Sequence, residues 1–245
     1  MIYPLATGLA AGLGTIGLLY GGCAYAALWP ASQIFGPTLI APAQPDQIAM
    51  TFDDGPNPAW TPKLLNHLAR HNVRATFFLV GSYAARNPGL VSEMVSAGHT
   101  IGNHSWRHPN LALSSAAKIR LELVRSRSLL EEMTGKPVRL FRPPFGARRP
   151  AVLTIARSLG MVPVLWNAMT SDWSTPDAAV IADRLSQKID RNRHRGWASN
   201  VVLHDGNHLD PVANRAPSVA AAKTLIAEYE GRCQFVTVDQ WIDRQ

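Results

Sequence analysis

From residue 47 onwards the chain alternates short apolar runs with longer stretches whose apolar positions recur at helical spacing. The apolar runs predict strands at 47–52, 75–80, 100–103, 140–142, 162–166, 200–203 and 234–238. The amphipathic stretches predict helices near 61–71, 87–97, 114–134, 150–159, 177–191 and 218–230. Ser114 reads as the N-cap of the third helix, and Gly135 and Pro137 as its stop. Seven strands alternating with helices predict a parallel sheet in an α/β fold. No GxGxxG or GxxxxGK[ST] pattern follows the first strand, which removes the usual nucleotide-binding readings. Closure into a barrel is then the expected architecture, with chemistry at the C-terminal ends of the strands.

The pattern before residue 47 is of another kind. An uncharged run rich in Gly, Ala and Leu extends from Leu5 to about Trp29, and a membrane span needs roughly 20 apolar residues. Tyr20, Tyr25 and Trp29 gather towards its far end, as in an interfacial aromatic belt, and Pro30 stops the helix. Residues 1–29 are therefore expected to form one N-terminal transmembrane helix, with a cleaved signal segment as the alternative, since Ala24-Tyr25-Ala26 resembles a cleavage site. The expected location is membrane-anchored, with the globular part extracytoplasmic. Residues 30–46, rich in Pro and Ala, are expected to be a linker, and 47–245 one catalytic domain.

Composition narrows the partners. With 47% hydrophobic and 17% charged residues, the 245-residue chain fills a core and does not read as disordered. Its net charge of +7 falls entirely in residues 46–245, because the first 45 carry no Lys, Arg, Asp or Glu. That balance suits anionic surroundings. No basic run or aromatic-basic motif points to nucleic acid, which is not expected as a partner. Two cysteines, Cys23 and Cys233, are too few for a disulfide framework.

Polar clusters fall where the strands end. Met50-Thr51-Phe52-Asp53-Asp54-Gly55-Pro56 runs an apolar strand into two adjacent carboxylates and then breaks it. Successive strand residues point to opposite faces, so the two acids share a face only beyond the break, and together they call for a cation. His104 and His108 stand four apart; on a helical turn both would face one metal ion. With one carboxylate they make a two-histidine, one-carboxylate set that leaves room for water. Arg142, in Phe141-Arg142-Pro143-Pro144-Phe145-Gly146, is placed to hold the free carboxylate by a bidentate pair; the rigid loop after it offers a backbone N–H to an oxyanion. His204 ends a buried-type strand, and Asp172 is its expected partner, which favours imidazolium. Trp106, Trp166, Trp173 and Leu203 would each suit the core, or as a group an apolar pocket or sugar-stacking face. His208 reads as a loop residue.

Taken in order, Thr51–Pro56, His104–His108, Arg142–Gly146, Asp172-Trp173 and Leu203-His204 resemble the five motifs of the polysaccharide deacetylases, the NodB-homology domains of carbohydrate esterase family 4. The resemblance implies a distorted (β/α)7 barrel of the NodB-homology type and metal-dependent removal of N-acetyl groups. The implied substrate is an amino-sugar glycan of the cell envelope or exterior, peptidoglycan-like or chitooligosaccharide-like. Carried over, Asp53 is the implied base acting on metal-activated water, and Asp54, His104 and His108 are the ligands of one divalent ion. Zinc is expected, though the set also suits cobalt, nickel or manganese. Arg142 is implied to orient the base, the Phe145 N–H to face the oxyanion, and His204, tuned by Asp172, to act as acid. Trp173 and Leu203 are the implied wall of the acetyl pocket. Phe145 and Met169 stand where many members carry Tyr and Asp. Two alternatives stay open: a deformylase or deacetylase of a lipid-linked sugar, and a non-catalytic glycan-binding barrel. Oligomeric state is unassigned.

Overall fold

The computed structural model describes residues 22–242. Most of the expected membrane anchor, residues 1–21, lies outside them. Among the described residues no helix is long and apolar enough to cross a membrane.

The strands are β1 (Gln47–Asp53), β2 (Thr76–Leu79), β3 (Thr100–Asn103), β4 (Leu140–Phe141), β5 (Val162–Pro163), β6 (Ala168–Met169), β7 (Ser199–His204) and β8 (Gln234–Val236). The helices are α1 (Thr61–Arg70), α2 (Gly81–Ala84), α3 (Pro88–Ser96), α4 (Ala116–Thr134), α5 (Pro150–Ser158), α6 (Ala178–His194) and α7 (Ala216–Tyr229). All seven residues of β1 are buried, as a parallel strand covered on both faces requires. The sheet runs β5-β4-β3-β2-β1-β7-β6, every pair parallel. β7 follows β1 from Ile48 to Asp53. The opposite edge of β1 is shared, with β8 pairing Gln47–Ala49 and β2 pairing Thr51–Asp53.

β5 and β6 end the path and do not pair with one another, so the expected closed barrel is an open half-barrel. The gap is filled by the stretch expected to be a linker. Leu39 forms a parallel bridge with Val164, donating its N–H to the Pro163 carbonyl (2.9 Å) and accepting from the Leu165 N–H (2.8 Å). Asn200 Nδ2 donates to the Ile40 carbonyl (3.0 Å), and the Ala198 N–H to that of Pro42 (2.9 Å). Pro163 has no N–H to extend a ladder, which keeps β5 to two residues and breaks the strand expected over 162–166. β6 was not foreseen, because two residues carry no periodicity. The N-cap of α4 is Ser115, whose Oγ accepts from the Lys118 N–H (3.3 Å); the Ser114 hydroxyl instead donates to the Asn110 carbonyl (3.1 Å). Gly135 closes the helix in the left-handed conformation, φ 64°.

Alternation sorts the core. Met50, Phe52, Phe77 and Leu203 join the large cluster containing Leu64, Leu185 and Leu225 from the helices. Ala49 and Phe78 face the other way, with Val164, Val238 and Trp241. Period two therefore puts Thr51 and Asp53 of β1 and Asn200, Val202 and His204 of β7 on the inner face. The strand ends deliver polar groups there.

Candidate active site

The break after β1 is built by backbone conformation and close approach. Asp54 is left-handed, with φ 68°, and the Gly55–Pro56 peptide is cis. A Cβ on Gly206, just beyond β7, would stand 2.0 Å from the Asp54 carbonyl oxygen. Since that oxygen is backbone and cannot yield, only glycine fits. Asp205 accepts a hydrogen bond from the Thr61 hydroxyl, and burial pushes its carboxyl up to about 7. Left-handed non-glycine residues concentrate here: Asp54, Ser105, His108 and Phe145 are four of the five among the described residues, with Asn72 elsewhere. Strain of this kind costs on the order of 1–3 kcal/mol per residue and gathers at functional sites.

Asp54, His104 and His108 are all buried, and their ligand atoms lie within 4.8 Å of one another. Asp54 Oδ1 is 3.4 Å from His104 Nε2 and 3.1 Å from His108 Nε2. The histidines do not sit on a helical turn. They converge through an irregular loop in which Ser105 and His108 are left-handed. Glu122 of α4 pins that loop, one carboxylate oxygen accepting from the backbone N–H groups of Trp106 (3.0 Å) and Arg107 (2.8 Å). The Asn103 side chain accepts from the Ser105 N–H (2.8 Å). Glu122 was missed in the sequence; its signal was an acid on the same helix face as the buried Ile119, Leu123 and Ser126.

This donor set fits a divalent cation. The Arg142 carbonyl, 2.8 Å from His104 Nδ1, can only accept, so that nitrogen carries the proton and Nε2 presents its lone pair to Asp54. Burial pushes His108 down, towards the neutral imidazole, against the opposing pull of Asp54. Burial alone would raise Asp54, yet His104, His108 and His208 hold it well below the usual carboxylate range. Its Oδ1 has no hydrogen-bond partner. Lone pairs and an anion converging in a buried site are stable with a cation between them.

Asp53 Oδ1 accepts from Arg142 Nη1 at 2.7 Å, and both residues are buried. The expected bidentate pair is not formed. Nη1 also reaches Thr51 Oγ1 (2.7 Å) and Nη2 reaches Asn200 Oδ1 (3.1 Å). The guanidinium stacks 4.0 Å above the Phe78 ring. Arg142 is thereby fixed by three hydrogen-bond partners, of which the carboxylate takes one N–H, while its Nε is left without a partner. Asn200, unforeseen, also ties this network to the Ile40 and Leu165 carbonyls.

Across the cleft, His204 Nδ1 and its backbone N–H donate to the two oxygens of Asp172, each at 2.8 Å, and the Ser218 hydroxyl adds a third bond (2.7 Å). Burial would push His204 down, but Asp172 overrides it and raises the imidazole to about 9. Asp172 stays lowered for the same reason, against its own burial. The Trp173 ring stands edge-on to His204, 5.2 Å away.

Asp53, Asp54, His104, His108 and His204 line one cleft of roughly 390 Å³, together with Phe145, Trp166, Met169, Trp173, Val202 and His208. Leu203 is absent from it. It is fully buried in the helix-side core, because it points opposite to His204; the wall position belongs to Val202. Phe145, φ 60°, presents its ring edge to His108 (4.6 Å), and His208 stacks on His108 (4.3 Å), nearer the site than a plain loop residue.

The polysaccharide deacetylase profile matches residues 41–164. The chain belongs to the polysaccharide deacetylase family. It is 34% identical over 193 residues to a peptidoglycan-N-acetylglucosamine deacetylase of Bacillus cereus, covering 78% of this chain and 66% of that one, just under two thirds of its length. A chitooligosaccharide deacetylase of Sinorhizobium fredii is 35% identical over 191 residues, covering 76% and 86%. Among solved structures, a carbohydrate esterase family 4 pseudoenzyme from Bacillus anthracis superposes with a TM-score of 0.73 at 27% identity, covering 83% of this chain and 68% of that one. A polysaccharide deacetylase fold therefore occurs with and without activity, and the residues of the cleft decide.

Proposed function

We propose that this member of the polysaccharide deacetylase family is a metal-dependent N-deacetylase of amino-sugar glycans. Peptidoglycan and chitooligosaccharide, named for its relatives, are the substrate classes. The observation that carries the reading is the meeting, in one cleft, of the Asp54–His104–His108 donor set with Asp53, hydrogen-bonded by Arg142, and His204, hydrogen-bonded to Asp172. A pure glycan-binding barrel has no use for a held carboxylate opposite a raised imidazole.

Asp54, His104 and His108 hold the ion, with zinc the first expectation for two imidazoles and one carboxylate. When bound, a divalent ion supplies Lewis acidity towards the amide and makes water acidic near neutral pH. The chain's own groups do the rest. Asp53, oriented by Arg142, takes a proton from the attacking water. The Phe145 backbone N–H faces the negative charge that develops on the carbonyl oxygen. His204, charged and steadied by Asp172, gives its Nε2 proton to the departing amine as the C–N bond breaks. Amide and water thus become amine and carboxylate. Val202, Trp173 and Met169 enclose the acyl methyl. The domain works on the extracytoplasmic side, where such glycans lie, with the uncharged residues 1–29 as its membrane attachment.

The test is acetate release from peptidoglycan and chitooligosaccharide by the full chain, alongside its metal content. Asp53→Asn is expected to retain metal and lose turnover by about 10²–10⁴-fold; His104→Ala is expected to lose the metal. A metal-loaded wild-type chain that releases no acetate from either substrate overturns the proposal, as does full activity in either variant.

A further inference from the structure

Arg148 is buried with no acidic partner among the described residues, and burial pushes its guanidinium down. Its donors go to backbone carbonyls. Nη1 serves both Ala27 (3.2 Å) and Gly146 (3.1 Å), and Nη2 serves Trp29 (2.6 Å) and Ser32 (2.9 Å). Its backbone N–H also donates to the Ala27 carbonyl (3.1 Å). Ala27, Trp29 and Ser32 lie at and beyond the C-terminal end of the helix over residues 22–28, where orphan carbonyls and the helix dipole favour a cation. Gly146 belongs to the loop that lines the cleft. One nitrogen thus joins the mouth of the active site to the end of the N-terminal helix.

That helix has two faces. Ala26 is buried against the domain. Tyr25, Leu28 and Trp29, at i, i+3 and i+4, are 49%, 54% and 56% exposed, and Ile34 is 67% exposed. The Tyr25 and Trp29 rings stack at 6.2 Å. Single exposed apolar residues are ordinary; four within ten positions, two of them aromatic, form a patch. The 21 residues before the helix carry no charged side chain. Exposed Arg157 lies against Gly36 and donates to the Pro37 carbonyl, and the net charge of +7 belongs wholly to residues 46–245. Apolar residues with Tyr and Trp, beside the exposed cation Arg157 on a chain of positive net charge, match the boundary of an anionic bilayer.

We propose that Tyr25, Leu28, Trp29 and Ile34 dock on the surface of an anionic phospholipid bilayer, and that Arg148 holds the cleft mouth at a set position beside that surface. The substrates favoured are then glycan segments presented close to lipid. The docking is independent of the chemistry in the cleft, whereas the consequence for substrates rests on the deacetylase reading.

The experiment uses the full chain in phosphatidylcholine–phosphatidylglycerol vesicles with brominated acyl chains. Part of the tryptophan emission is expected to be quenched, and Trp29→Phe is expected to remove that quenched part. Equal quenching in wild type and Trp29→Phe overturns the docking. So does an unquenched chain that dimerises through this patch in detergent and returns to monomer in the Leu28→Ser/Ile34→Ser variant. The same double variant is expected to keep its turnover of soluble chitooligosaccharide and to lose roughly tenfold on the oligosaccharide tethered in the vesicles. An equal response to both substrates overturns the positioning. Absence of acetate from every substrate, with quenching intact, removes the deacetylase reading and leaves the docking standing.

Discussion

The two flanks of the cleft solve opposite electrostatic problems. On the β7 side, Asp172 receives three hydrogen bonds, two from His204 and one from Ser218. The chain neutralises that carboxylate by itself. On the β1 side, Asp54 Oδ1 has no hydrogen-bond partner and faces the Nε2 atoms of two histidines, one of which is fixed as a lone pair. That flank is complete only with a cation from outside. The backbone mirrors the difference. The self-satisfied pair sits at a regular strand end, while the cation-seeking set is assembled from left-handed residues at 54, 105 and 108. A site that must hold a particular ion geometry spends conformational strain on it; a pair that needs only one hydrogen bond and one charge does not.

The sharpest way to break this contrast is to remove the ion. Chelation is expected to abolish turnover and to lower the melting temperature, since a ligand at about 1,000 times its Kd stabilises by about 4 kcal/mol. Asp54→Asn is expected to erase that metal-dependent rise, and also to lower the melting temperature of the apo chain, because the histidines that hold Asp54 below the usual carboxylate range stabilise its charged form. Calorimetry with and without zinc checks both. If Asp54→Asn kept the metal response, Asp54 would not be a ligand.

Asp172→Asn should do the reverse, keeping the metal response and damaging proton delivery. His204, held at about 9 against an ordinary 6.5, stays protonated across neutral pH. Without Asp172 its pKa falls, so the alkaline limb of kcat moves to lower pH and turnover near pH 8 drops by about 10²-fold. The stability sign follows from the same shift. The pair's contribution is fully present below about 6.5 and is lost as pH rises through about 9. A pH–rate profile unchanged in the variant would exclude Asp172 from tuning His204.

Glu122→Gln loosens the histidine loop without touching a ligand, and metal affinity is expected to weaken by about 10–100-fold. Competition with a zinc indicator measures it; an unaltered affinity would mean that the loop holds itself. The smallest effect separates the two faces of β7. Val202→Ala is expected to change KM for acetylated substrate a few-fold, as removal of methyl groups from a pocket does. Leu203→Ala should leave KM alone and cost about 2–5 kcal/mol of stability. The opposite outcome would return Leu203 to the pocket wall.

Much of this was legible in the chain. The alternation of apolar runs and amphipathic stretches located the sheet and the principal helices, and the residues at the strand ends proved to share one cleft. What escaped was whatever depends on partners far along the chain. Leu203 and Val202 are equivalent as apolar letters, and only the sheet's facing makes one core and the other wall. Arg142 reads as a bidentate partner until Thr51 and Asn200 take two of its bonds. Residues 30–46 read as a linker by composition, yet Leu39 bridges to Val164 just beyond β5 and Ile40 accepts from Asn200 of β7.

By itself, then, the sequence determined the parallel α/β order, a cation-seeking set of one carboxylate of Asp53-Asp54 with His104 and His108, and the placing of further polar groups at the end of β7. These are local properties, carried by periodicity, by strand-breaking residues and by the chemistry of side-chain types. The tertiary structure decided that the barrel stays open, that the histidines meet through a left-handed loop clamped by Glu122, and that Arg148 locks the N-terminal helix to the cleft. Those outcomes hang on hydrogen bonds between residues up to 160 positions apart, and no local pattern carries them.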